Sequence, residues 1–232
     1  MNLSRHHVVA LIGATLTSAI ALSDAIMHGL TGSNSIFSDD SGHPGWIVGG
    51  GLVHGLTYAA LTWVLIRECA RFHRANRLVR GLRYVLIGSL GALAAGFIII
   101  APIVVLAQVP PSGPLGIAWG WLASIAFAGM ILSSLVLGIA VLRTNPLGYG
   151  GRVLGLLIVV LPITVALDFL APQWAHPAGV ETTIHFGVAL IGATAAVKRP
   201  RPLRALSSPT PENPIQRNAP DNPARVRRAV PR

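Results

Sequence analysis

Asp24, His28, His54, Tyr58, Asp168 and His185 each lie inside a stretch of otherwise apolar sequence. Ionisable groups in such stretches are costly and almost always face an interior, a cavity or a partner. Carboxylates next to imidazoles can exchange protons near neutral pH, bind a cation or hold a metal. We take the first two as the leading chemistry. Asp24 and Asp168 are then the proton-exchanging or cation-binding groups. His54 and His185 tune them or relay protons, and His28 and Tyr58 line the same pocket. The alternative is a metal role, in which His54 and His185 from different helices serve as axial haem ligands or hold zinc together with the aspartates. The sequence shows no HExxH, no histidine pair at spacing four within an apolar stretch and no CxxCH, so no metal or cofactor is expected. Ser23 adjoins Asp24, but its side chain points about 100° away around a helix. No nucleophile is therefore assigned, and the chain is read as a binding protein rather than an enzyme.

The elements that must position these groups follow from composition. The chain has 232 residues, 52% of them hydrophobic and only 11% charged, whereas soluble domains carry about 25% charged residues. Lipid-facing helices need no polar cover. Six stretches reach the roughly 20 apolar residues a membrane crossing needs: Val8 to Leu30, Trp46 to Ile66, Tyr84 to Ala107, Leu115 to Leu142, Val153 to Leu170 and Val180 to Val197. The expected fold class is an all-α polytopic bundle over residues 1–197, followed by a basic, Pro- and Arg-rich cytoplasmic tail over 198–232 that is expected to be disordered.

Charge placement orients the spans. Of the 18 Lys and Arg residues, nine lie in the tail; Arg67, Arg71, Arg74, Arg77, Arg80 and Arg83 follow the second span. Arg143 and Arg152 follow the fourth, and Arg5 precedes the first. The other connections carry none. This alternation is the positive-inside pattern, and it places both termini in the cytoplasm with the protein in a plasma membrane. Trp46, Trp119, Trp121 and Trp174 fall at the expected outer boundary, as an aromatic belt would. The net charge of +10 is thereby explained without nucleic acid. A rival reading cuts a signal peptide after Ala21 and leaves five spans. The arginines at spacing three from Arg71 to Arg83 are candidates for gripping anionic lipid headgroups. The single cysteine, Cys69, permits no intramolecular disulfide.

Helical periodicity then groups the polar residues. Gly13, Thr17, Ala21, Asp24 and His28 share one face of the first span; Gly50, His54, Thr57 and Tyr58 share one of the second. Thr164 aligns with Asp168 in the fifth span, and Glu181, His185, Ala189 and Gly192 align in the sixth. Spans one, two, five and six are thus expected to enclose a pocket opening outward. Small-residue stripes at spacing four, Gly88–Ala92–Gly96 and Gly116–Gly120–Ser124–Ala128, are expected to pack spans three and four closely. Pro102 and Pro162 should kink their helices. The oxygen-rich loop Ser38 to His43 is taken as a solvated turn, and an oligomer is expected.

From Ser35 to Glu68, an acidic serine-containing loop (SIFSDDSG) runs into HPGWIVGGGLVHGL and an apolar span that ends in arginine. This stretch resembles bacterial six-helix integral membrane proteins grouped as domains of unknown function. The resemblance implies a fold and a membrane location but no activity. The 17 arginines against one lysine point to a bacterium with a GC-rich genome. The expected function is outward-facing binding or transport of a small molecule or lipid, or proton-coupled transport. A haem or zinc enzyme and a structural or partner-binding membrane subunit are the alternatives.

Overall fold

The computed structural model describes residues 3–33, 35–36, 43–110 and 112–193. The chain divides into two units, Met1–Ala196 and Val197–Arg232; the tail, most of the Ser38 to His43 loop and the end of the sixth expected span lie outside the described residues. Among the described residues the chain is all-helical, without strands.

The elements are α1 (Arg5–Thr31), α2 (Pro44–Arg67), α3 (Cys69–His73), α4 (Arg77–Ala95), α5 (Ala101–Leu106), α6 (Pro114–Val141), α7 (Tyr149–Gly155), α8 (Leu157–Leu170) and α9 (Ala178–Ala189). Local chemistry sets their ends. Gly32 stops α1 at φ 68° and returns its N–H to the His28 carbonyl, a left-handed cap that glycine adopts without penalty. Prolines open α2 and α6 in the first turn, where no N–H is needed. The Asn76 side chain caps α4 by accepting the Val79 N–H at 2.9 Å. Between α4 and α5 the chain makes a π-helical turn at Gly96–Ile100. Pro102 explains it: its ring removes one backbone donor and crowds the carbonyl four residues back, at Ile98.

Among the described residues, five helical segments are long and apolar enough to cross a membrane: Arg5–Thr31, Pro44–Arg67, Arg77–Leu106, Pro114–Val141 and Tyr149–Leu170. This is compatible with a membrane protein. The sixth expected span differs. Its helix, α9, has 12 residues, about 18 Å at 1.5 Å per residue, against a hydrocarbon core of about 30 Å. It ends in a turn where Gly192 takes φ +91° and donates its N–H to the Leu147 carbonyl at 2.9 Å. Even so, the segment traverses the bundle. Trp174 packs where a side chain on Gly29, near the end of α1, would lie, and the Ile191 carbonyl meets His7 at the start of α1.

The helices form a ring in which α1 packs on α2, α2 on α4, α4 on α6, α6 on α7, and α7 and α8 on α9, which closes against α1 and touches α2. The core is apolar, with Leu61, Leu65, Leu86, Leu90, Met130, Leu137 and Leu154 fully buried. Large apolar residues also cover the outside: Leu56, Ile125, Leu132 and Phe169 are all exposed. The close helix contacts differ from the expected stripes. Gly88 and Gly120 face open space, and Ser124 and Ala128 are exposed. Between α4 and α6, Ser89 instead fills the space beside Gly129, while Gly96, a member of the expected stripe, does pack closely, under the Trp119 ring. Residues facing lipid gain nothing from close backbone approach, and sequence spacing alone gives stripes on either face.

Candidate functional site

The most concentrated polar chemistry lies between α2 and α9. Glu181 stands in the first turn of α9, where the positive end of the helix favours a carboxylate. Its Oε1 accepts the Tyr58 hydroxyl at 2.6 Å. One turn further on, His185 Nε2 lies 3.6 Å from the same oxygen, and His54 Nε2 approaches it at 3.9 Å from α2. Tyr58 and His185 are buried to within 1% of complete.

Two features give this cluster its chemistry. His54 Nδ1 lies 2.9 Å from the Gly50 carbonyl, so that nitrogen carries the hydrogen and donates it. The lone pair of neutral His54 Nε2 then faces the carboxylate, and one proton placed on either group turns repulsion into attraction. His185 is fully buried, and neither ring nitrogen has a hydrogen-bond partner among the described residues. Burying an unpaired imidazole is expensive, and such positions concentrate at functional sites.

The cluster borders open space. A cavity of about 350 Å³ is lined by His54, Tyr58 and Glu181 together with Leu93, Phe97 and Phe127. A second, of about 410 Å³, runs from His54 and Phe97 past Trp119 to Ile47 and Val105, at the end of the bundle where α2 begins and α5 finishes. His54 and Phe97 border both cavities. Their rings lie 5.9 Å apart, and Phe97 meets Trp119 edge-on at 5.5 Å. The π-helical turn contains Phe97 and so sets its direction.

The enclosing helices differ from expectation. The cavities lie among α2, the α4–α5 segment and α6, with α9 contributing Glu181; spans one and five contribute nothing to them. Of the expected residues, His54, Tyr58 and His185 come together. Asp24 does not join them. It accepts the Ser35 N–H at 2.7 Å and pairs with His176 Nε2 at 3.3 Å, tying α1 to two connections. His28 is half-buried on the same helix as Asp24, and Asp168 is exposed on α8. Asp168 lines neither cavity. The hub is Glu181, which sequence counting leaves at a span boundary because the depth of α9 depends on tertiary packing.

The arginines also divide. Arg74 and Arg77 are exposed, and Arg71 and Arg80 are half-buried. Arg83 is 7% exposed; its Nε donates to the Leu65 carbonyl at 2.8 Å, and its guanidinium lies over the Phe72 and Tyr84 rings. Arg83 is therefore withdrawn from the headgroup set. It satisfies a carbonyl at the end of α2. Sequence reading also passes over His6, His7 and Glu68, which converge at the far end of the bundle.

Comparison with known proteins finds no matching family model, no similar curated protein and no similar solved structure. The class the fold defines is thus one that is all-helical among the described residues, with five helices there long and apolar enough to cross a membrane. Its function must be argued from the site.

Proposed function

We propose that the chain is a multi-pass protein of a bacterial plasma membrane, with both termini cytoplasmic, that binds or carries a small molecule or lipid in a cavity whose proton-exchanging group is Glu181. The observation that carries this reading is the Glu181 carboxylate, held by Tyr58 and flanked by His54 and His185, at the wall of a cavity whose remaining lining is apolar or aromatic apart from Ser124. Apolar cavities with a few convergent polar groups are the usual form of ligand sites, and an ionisable group within a span marks a substrate or proton path. The lining suits a ligand with an apolar body and a cationic or hydrogen-bond-donating head. The crossing by α9 returns the chain to the end where α1 begins, as an even number of crossings requires.

The haem reading fits less well. The two imidazoles flank a carboxylate oxygen at 3.6 and 3.9 Å, so the Glu181 side chain occupies the space an iron centre would need between them. A role in assembly alone leaves the cavity unexplained.

The test uses a hydrophobic carbodiimide, which modifies protonated carboxyl groups in apolar surroundings, on the protein in lipid nanodiscs. Mass spectrometry should find Glu181 modified, with protection by the lipophilic cation tetraphenylphosphonium. Modification confined to Asp24 or Asp168 would overturn the assignment.

A further inference from the structure

We infer that His6, His7 and Glu68 form a binding site for a divalent transition-metal ion of the zinc type, at the end of the bundle remote from the cavity. This inference is independent of the proposed function, since it uses none of the same side chains.

The donors come from separate parts of the chain. His6 and His7 lie in the first turn of α1, and Glu68 follows the last residue of α2. Their ligand atoms all lie within 4.8 Å of one another. Glu68 Oε1 is 3.1 Å from His6 Nε2 and 3.8 Å from His7 Nε2. Zinc bound at about 2.0 to 2.2 Å from tetrahedral nitrogen and oxygen ligands holds them about 3.4 Å apart. The two observed separations bracket that value, so an ion fits between these atoms with small side-chain adjustments. Two histidines and one carboxylate form a known zinc ligand set that leaves a fourth position for water.

The surroundings are those of a metal centre. Ligating groups are usually oriented by outer partners, and both kinds of ligand have one here. Ser4 Oγ lies 2.5 Å from His7 Nδ1, and Arg71 Nε donates to Glu68 Oε2 at 2.9 Å. The first contact can keep the hydrogen on Nδ1 and leave the Nε2 lone pair for an ion; the second leaves Oε1 free to bind. His7 Nε2 also faces the Ile191 carbonyl at 2.8 Å. Without metal, Nε2–H donates to the carbonyl; metal binding at Nε2 requires the imidazole to turn away from that carbonyl, with the hydrogen moving to Nδ1. Gly192, held at φ +91°, lies against the Glu68 carboxylate where any side chain would collide. The site therefore joins the starts and ends of three helices, α1, α2 and α9.

The experiment uses full-length protein purified without a histidine tag, carrying Cys69→Ser to remove the neighbouring thiol. It is titrated with Co²⁺, whose visible absorption reports coordination, and then with Zn²⁺ in competition. One ion per chain is expected, with at least about tenfold weaker binding in His6→Ala and in Glu68→Gln, the loss seen even for outer partners of metal ligands. His73→Ala and Glu181→Gln should bind as the parent does. Size-exclusion profiles check that the variants fold, and Zn²⁺ should raise the unfolding midpoint of the parent but not of Glu68→Gln. Absence of binding to the folded parent, or binding unchanged in both His6→Ala and Glu68→Gln, would overturn the site and leave a cluster held by protons alone. Binding lost only in Glu181→Gln would overturn it equally and move the metal to the cavity.

Discussion

The contact between Tyr58 and Glu181 is the sharpest place to measure what the cavity wall contributes. The hydroxyl donates at 2.6 Å, at the short end of O–H···O bonds. Tyr58 is 1% exposed and Glu181 8%, so water competes little. Hydrogen bonds to charged groups are worth about 1.5–3 kcal/mol in soluble proteins. Interhelical polar pairs in membranes average about 0.6 kcal/mol and reach about 1.7, because the unfolded chain also finds partners. The short distance and deep burial place this pair near the upper end, at about 1.5 kcal/mol, roughly tenfold in the unfolding constant. The perturbation is a double-mutant cycle of Tyr58→Phe and Glu181→Met, which remove donor and acceptor in turn at similar side-chain volume. The assay is reversible unfolding in mixed lipid–detergent micelles, with unfolding constants compared across the four proteins. A coupling below about 0.5 kcal/mol would refute the assignment of Tyr58 as a strong donor to Glu181, because an average interhelical polar pair already accounts for that much.

Two further outcomes follow from packing. Gly150→Ala should destabilise by about 1–3 kcal/mol, the range for overpacking, because its Cβ would press on the Gly187 carbonyl and the Ile191 backbone. Gly120→Ala, with open space around it, should be neutral or slightly stabilising in the same thermal assay; equal losses at both would show that the α7–α9 crossing is misassigned. Arg83→Lys should lower the unfolding midpoint, since an ammonium cannot reproduce both the bond to Leu65 and the stacking on two rings. Arg74→Ala should leave the midpoint unchanged and weaken association with anionic lipid in a vesicle competition assay, by about 1 kcal/mol; the reverse pattern would refute the division of the arginines.

Much of the fold can be read in the sequence because it is written in runs of apolar residues and in helical period. The α1 face carrying Gly13, Thr17 and Ala21 is turned inward, with Thr17 bonded to Thr57 at 3.0 Å. His54, Tyr58 and His185 meet as their faces suggest. Depth and azimuth at the far side of the bundle are less legible. Asp168 shares its helix with residues as apolar as those around His185, yet one is exposed and the other fully buried. Periodicity fixes which residues share a face but not which face meets a neighbour. The same gap hides the His6–His7–Glu68 cluster: His6 and Glu68 lie 62 positions apart, and all three fall at span ends, where polar residues need no explanation. The π-helical turn at Pro102 was foreshadowed only as a kink, since proline signals a break but not its form.

The short α9 also weighs the structural and functional readings of the polar residues against each other. A helix that does not reach both membrane faces must satisfy its terminal backbone groups within the protein. At its start, His176 Nδ1 accepts the Ala178 N–H at 3.2 Å. At its end, the Leu190 and Ala193 carbonyls accept the Gly150 and Tyr149 N–H groups, and the Ile191 carbonyl meets His7. These residues meet the structural demand at the ends of α9. Glu181, His185, His54 and Tyr58 are not among them: the Glu181 carboxylate bonds a side chain, and the His185 nitrogens bond nothing among the described residues. Residues of similar volume without charge would pack the same space at lower desolvation cost. A carboxylate, a phenol and two imidazoles gathered around one oxygen beside a cavity, beyond what the backbone requires, are better accounted for by proton and ligand chemistry than by helix association.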